Sequence, residues 1–284
     1  MDYAASLLTV AGINIILALG LNLITGYCGQ ISLGHAAFYG MGAYCAALMA
    51  KAGWPFFAVL LPAMAVAGVL GIVVGFAALR VRHDFLAITT MGVGFLFLGI
   101  VRQQEWLGGE MGIYNIPGAG LDSTGYMLLT LGFAALAAAL SAHIKRSWMG
   151  RVFNAIADDE DAALTAGVNV AGYKLAAFAI GTAMAGLAGA LYAHGIRYVG
   201  PESFGFVDSV AILCMVVVGG VGSVPGVIAG ALLLTLLPQL LQVVSDYRLL
   251  LYGGLLFLVT RFSPGGMAGM ARAIAAAAGR PRAS

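Results

Sequence analysis

The stretch from Tyr3 to Ala50 reads YAASLLTVAGINIILALGLNLITGYCGQISLGHAAFYGMGAYCAALMA and contains no Asp, Glu, Lys or Arg. Spanning a hydrocarbon core takes about 20 residues of helix, and a charge at its centre costs roughly 2.5–3.5 kcal/mol on insertion scales. The stretch is therefore long enough for two crossings. Working outward, the same absence of charge recurs at Ala52–Leu79, Phe85–Val101, Ser123–Ile144, Leu175–Ile196 and Ser209–Ser245. The whole chain is 61% apolar and 9% charged, with 41 glycines, which excludes an ordinary soluble globular mixture. The fold predicted is an all-α polytopic transmembrane bundle of about nine crossings (eight to ten). They are placed near residues 4–25, 35–50, 56–79, 84–101, 126–143, 174–194, 207–222, 225–243 and 249–261. Residues 1–262 read as one transmembrane domain with a hydrophilic loop at 145–174, followed by a tail at 263–284.

Basic residues orient the bundle. With the N-terminus outside, Arg80, Arg82, Lys145, Arg146, Arg151, Lys174, Arg261, Arg272, Arg280 and Arg282 face the cytoplasm, and only Lys51, Arg102, Arg197 and Arg248 face out. That asymmetry is what the positive-inside rule requires, so the C-terminal tail is expected in the cytoplasm. No cleavable leader is expected, because residues 1–25 lack a basic start and run directly into membrane sequence. The net charge of +2 gives no reason to expect nucleic acid. Cys28, Cys45 and Cys214 have neither metal nor disulfide spacing and read as small buried hydrophobes.

Two predicted crossings, 35–50 and 207–222, are short and adjoin glycine-rich sequence at residues 26–30 and 219–226. Broken or re-entrant backbone at membrane depth survives only where protein or a water-filled cavity satisfies it, and such breaks are where transporters place their pathways. The first break concentrates neutral polar side chains: Asn22, Gln30, Ser32, His35 and Tyr39. They suit a weak, transient path for a polar solute, and they equally suit hydrogen bonding between helices. Small residues four apart, at Gly71/Gly75, Gly181/Ala185/Gly189 and Gly222/Gly226/Gly230, read as close-packing helix faces.

The loop at 145–174 carries residues 158–167, DDEDAALTAG. Asp158 or Asp159 can cap a helix whose acidic first turn, with Glu160 and Asp161, suits the positive end of its dipole. Gly167 can end it in the left-handed conformation. The segment reads as a short polar helix outside the membrane that a soluble partner can grip. External loops Arg102–Thr124 and Arg197–Asp208 read as solvated connections able to meet an outside partner.

Absences narrow the function. No carboxylate falls deep inside a predicted crossing, although proton-driven carriers usually need a buried titratable relay. There is no Gly-Lys pair and so no phosphate-binding loop, no Gly-x-Ser-x-Gly elbow and no His-Glu-x-x-His zinc motif. No catalytic group, metal or cofactor is expected.

Four blocks resemble the permease subunits of branched-chain amino-acid ABC importers, of the LivM type within the hydrophobic amino-acid uptake family. They lie at residues 18–38, 79–90, 155–178 and 198–226, in the family's order. The ending GHAAF at 34–38 favours the LivM type over its paired LivH-type permease. The resemblance implies a heteromer: a second permease of the LivH type, two cytoplasmic ABC ATPases and an extracytoplasmic solute-binding protein, all at a bacterial inner membrane and its lipid bilayer. It also implies that residues 161–167, DAALTAG, serve as the loop that seats in an ATPase groove, with Asp161 where related permeases have Glu. Asp158, Asp159, Glu160, Asp161, Ala162, Ala163 and Gly167 are the coupling residues so implied. The substrate stays open between Leu, Ile and Val and amides, urea or aromatic acids. The competing reading is an autonomous secondary carrier or channel, which would have no use for an ATPase dock.

Overall fold

The computed structural model describes residues 3–78, 83–240, 248–262 and 265–270. Arg80, Arg82 and Asp246, together with Arg272, Arg280, Arg282 and the rest of the tail from residue 271, lie outside them. The described residues form eleven α-helices: α1 (Tyr3–Leu21), α2 (His35–Lys51), α3 (Phe56–Ala78), α4 (His83–Gln103), α5 (Ser123–Arg146), α6 (Trp148–Asp158), α7 (Glu160–Thr165), α8 (Val170–Ile196), α9 (Phe206–Gly219), α10 (Val224–Leu240) and α11 (Arg248–Phe262). A π-helical turn, Asn22–Tyr27, continues α1. Two strands of two residues, β1 (Ile113–Tyr114) and β2 (Tyr198–Val199), pair antiparallel and tie the two expected external loops together.

The charge-free runs form helices because, in apolar surroundings, only intrahelical hydrogen bonding satisfies a backbone. Among the described residues, five helices are long and apolar enough to cross a membrane: Tyr3–Tyr27, Phe56–Ala77, Leu86–Gln103, Ser123–Arg146 and Val170–Ile196. A helix of 17 residues, as in α2, reaches only about 25 Å, and one of 14, as in α9, about 21 Å. Length and composition thus support an all-helical membrane bundle, but not a count of nine crossings.

At its centre α8 packs along α2 and α3, with α1 against its other side. Small residues permit this closeness. A methyl group at Gly186 would lie 2.5 Å from the Ala63 carbonyl oxygen, and one at Gly181 would lie 2.6 Å from the Gly20 carbonyl oxygen. Gly71, Gly75 and Gly189 likewise lie against neighbouring helices. Gly222 does not belong to that set, because it sits in the left-handed region (φ +78°) in the turn between α9 and α10. Residues 265–270 were read as part of the tail, yet Ala268 lies against Gly220 and Gly226 at this turn.

The hydrophilic loop contains a helix the sequence reading did not foresee. Ser147 caps α6 by accepting from the Gly150 amide, and α6 buries Val152, Phe153 and Ile156 along one face while Arg151 and Asn154 are exposed.

Packing of α8 gives a direct stability prediction. Gly186→Val should lower the thermal midpoint of the purified protein by an amount equivalent to about 1–3 kcal/mol. Gly92→Ala, where an added methyl meets nothing within 4 Å, should leave it unchanged or slightly raised. Thermal unfolding in detergent, followed by loss of monodispersity, measures both.

Candidate functional site

The first break is stitched by side chains. Asn22 Oδ1 accepts from the Gly222 amide at 2.8 Å, and Lys145 Nζ donates to the Gly222 carbonyl at 2.5 Å, so both faces of that turn are held. Thr25 Oγ1 donates to the Gln30 carbonyl at 2.9 Å. Thr90 Oγ1 accepts from the Leu33 amide at 3.0 Å, and Ser209 Oγ accepts from the Ala36 amide at 3.1 Å. Gly34 fits only as glycine, since a side chain there would strike the Thr90 carbonyl. The irregular segment 28–34 thereby runs back among the helices, and α2 starts beside Leu17 of α1, Thr90 of α4 and Ser209 of α9.

Asn22, Gln30, Ser32 and His35 are all buried there. Each keeps a polar atom without a well-formed hydrogen bond: Asn22 Nδ2, Gln30 Oε1, Ser32 Oγ and both ring nitrogens of His35. His35 lies against the Leu17 carbonyl. Buried polar groups left this way are rare.

One turn further along α2, Tyr39 opens onto a cavity of about 520 Å³. Its walls come from α1 (Val10, Ile13, Asn14, Leu17), α8 (Tyr192), the 3-10 turn Pro201–Phe204 (Glu202, Ser203), α9 (Asp208, Ala211, Ile212, Met215) and α10 (Leu234, Thr235). Of the five residues read as a pathway, Tyr39 alone lines it; Asn22, Gln30, Ser32 and His35 lie in the packed core beside it. Asn14 Nδ2 donates to Thr235 Oγ1 at 2.9 Å, and the Tyr192 hydroxyl donates to Ser203 Oγ at 3.1 Å. Asp208 Oδ2 accepts from the Gly205 amide at 3.0 Å and so caps α9. Phe204 anchors the turn by packing edge-on against Tyr39, Tyr44, Phe97 and Tyr192. The sequence reading missed Asn14 and Thr235, whose signal is that each is an isolated polar residue in an apolar helix. Glu202, Ser203 and Asp208 had been read as loop or helix-end residues, because nothing in their spacing shows that this loop folds inward.

At the other end of α8 sits α7. Asp159 caps it through the Ala162 amide at 2.9 Å, whereas Asp158 ends the preceding helix. Its C-terminus closes as a Schellman motif: the Gly167 amide bonds to the Leu164 carbonyl and the Val168 amide to the Ala163 carbonyl. Gly167 takes φ +82°, where a β-branched residue would be strained. Asp161, Ala162 and Gly167 are exposed. Ala163 instead turns inward and is buried. Glu160 is likewise engaged within the chain, pairing with the buried Lys174 of α8 at 2.6 Å. Leu164, missed in the sequence reading, is the large apolar side chain that α7 presents outward, 52% exposed.

Access separates the two polar regions. In a background with Cys28, Cys45 and Cys214 replaced by Ala, Ser203→Cys should react with a small water-soluble thiol reagent about tenfold or more faster than Ser32→Cys in the resting protein. Mass spectrometry of the labelled chain measures this, and equal rates would show that the cavity is closed.

Residues 3–260 match the sequence model of the family described as branched-chain amino acid transport system / permease component. The chain is 34% identical to the high-affinity branched-chain amino acid transport system permease protein LivM of Escherichia coli strain K12, across 93% of this chain and 69% of that protein. The Salmonella typhimurium LivM protein matches equally, at 34% over the same shares. The LivH permease protein of E. coli is more distant, at 27% over 92% of each chain. No solved structure matches the chain significantly. With its all-helical apolar bundle and a family match along almost its whole length, the chain belongs to the permease components of branched-chain amino-acid transport systems.

Proposed function

We propose that this chain is the LivM-type half of a heteromeric ABC importer that carries Leu, Ile and Val inward across a bacterial inner membrane. Its partners on this reading are a LivH-type permease, two cytoplasmic ATPases and an extracytoplasmic solute-binding protein. The observation that carries the coupling role is α7: a short helix capped at both ends, set between α6 and α8, that presents an exposed Leu164. A partner gripping this helix meets Asp161, Ala162, Leu164 and Thr165, while Ala163 and Glu160 seat it on its own chain. The reading puts the N-terminus outside, α7 in the cytoplasm and the β1–β2 end outside, facing the binding protein. It keeps nine crossings by counting α2, α9, α10 and α11 as membrane helices, some of them completed by irregular segments.

The pathway on this reading begins in the cavity at Tyr39 and passes His35, which lies on the same face of α2 four residues earlier. It continues past Ser32 and Gln30 toward Asn22. The unpartnered polar atoms along this line support it, since a moving polar solute needs donors and acceptors that are not already committed.

The test is uptake of radiolabelled leucine by the complete importer in liposomes. Leu164→Arg should lower uptake and ATPase co-purification by about tenfold or more, as expected for an apolar anchor at an interface, with membrane insertion unchanged. Unchanged uptake would move the ATPase dock elsewhere. The chain reconstituted alone should neither hydrolyse ATP nor concentrate leucine under a proton or sodium gradient. Concentrative uptake by the lone chain would favour a secondary carrier.

A further inference from the structure

We propose that the elbow between α5 and α6 binds the headgroup of an anionic phospholipid, with the guanidinium groups of Arg146 and Arg151 on its phosphate and the Trp148 ring in the interface beside it. The inference requires only that α5 crosses the membrane, and it is independent of which solute the permease carries.

Geometry places this elbow at headgroup depth. The 24 residues of α5 reach about 36 Å, more than the roughly 30 Å of hydrocarbon. One exposed stripe runs along the helix through Leu128, Gly132, Leu136 and Leu140, then through His143 to Arg146. Residues three or four apart lie one above the other on a helix. Arg146 therefore stands directly beyond a face that is apolar along the span, where hydrocarbon gives way to headgroups. Two residues on, Trp148 is 67% exposed. An indole at this level suits the membrane interface, with its ring toward the acyl boundary and its N–H toward the headgroups.

The side chains are arranged to receive an anion. Arg151 lies over the Trp148 ring, 5.5 Å from its centroid, and Nη1 donates to the Arg146 carbonyl at 3.2 Å. These contacts hold the Arg151 side chain along the elbow and commit only one of its N–H groups. Neither Arg146 nor Arg151 pairs with a carboxylate among the described residues. The acidic run that starts at Asp158 lies at the far end of α6, about 15 Å from Trp148. Lys145 is turned away to the Gly222 carbonyl and the Tyr27 ring, and takes no part. Positive charge left uncompensated at a membrane surface attracts anionic lipid, and a guanidinium fork matches a phosphate. Continuity with the apolar stripe of α5 favours a lipid here over a soluble protein.

The experiment uses the full chain with Trp54→Phe and Trp106→Phe, which leaves Trp148 as its single tryptophan. In phosphatidylcholine nanodiscs, brominated phosphatidylglycerol should quench its fluorescence at about one-tenth of the mole fraction needed with brominated phosphatidylcholine. Arg146→Gln/Arg151→Gln should make the two lipids equal and leave the phosphatidylcholine curve in place, as expected if the elbow still sits at the interface. Lys51→Gln/Arg102→Gln, which removes the same charge elsewhere, should keep the preference, as should excess inorganic phosphate at constant ionic strength. In the assembled importer, a photoreactive benzoylphenylalanine in place of Trp148 should capture phosphatidylglycerol. Equal quenching by both lipids before any arginine is replaced, or a preference that survives Arg146→Gln/Arg151→Gln, overturns the site. So does displacement by free phosphate, or capture of another subunit at position 148. None of these outcomes touches the importer reading.

Discussion

Backbone amides and carbonyls that leave a helix inside an apolar bundle must find partners at once, because no water is there to supply them. This chain breaks its helices twice, after α1 and between α9 and α10, and the two breaks answer each other. Asn22 of the first holds the Gly222 amide of the second, and Lys145 holds the Gly222 carbonyl. Thr25, Thr90 and Ser209 satisfy the irregular segment that leads into α2. Three elements beyond α2 itself, the π-helical turn after α1, α4 and α9, thus contribute to one short stretch of non-helical chain. The cavity lies beside this place because two helix starts, those of α2 and α9, converge there and leave space that continuous helices would have filled.

The membrane helices were legible because charge is excluded from them, and exclusion is a strong, local signal. The caps of α7 were equally legible, since Asp159 and Gly167 act on neighbours three to five residues away. What stayed hidden depends on distant parts of the chain. Ala163 and Ala162 are identical in type, and only the seating of α7 on its own chain decides that one is buried and the other exposed. The buried face of α6 needs just Val152, Phe153 and Ile156, too short a periodic run to stand out beside long apolar segments. The cavity draws residues from five helices and one turn, and no spacing rule joins Asn14 to Thr235 across 221 positions. Glu202 and Asp208 illustrate the same limit: at the end of a loop they look solvated, and the inward anchoring of Phe204 is what brings them to the cavity.

Length and polarity also explain why crossings are harder to count than helices. A helix of 14 or 17 residues cannot cover about 30 Å of hydrocarbon, yet α2 and α9 are each extended by satisfied irregular chain. On the proposed reading the membrane-depth segment is then partly helix and partly loop, and a rule built on continuous helix passes over it.

The connection between α7 and the cavity is physical as well as sequential. Lys174 is buried at the start of α8 and bonds Glu160 of α7 at 2.6 Å, so the two helices are joined by a charge-assisted contact as well as by residues 166–169. Beyond that joint α8 is a single helix of 27 residues, close-packed against α2 and α3 through glycines that leave no slack. Its far portion carries Tyr192, which lines the cavity and packs on Tyr39 and Phe204. Close-packed interiors shift between discrete arrangements and do not deform smoothly. On the proposed reading, a push on α7 is therefore delivered along α8 to Tyr192 and Tyr39 together, and the stack that frames the cavity is the part of the bundle with room to move.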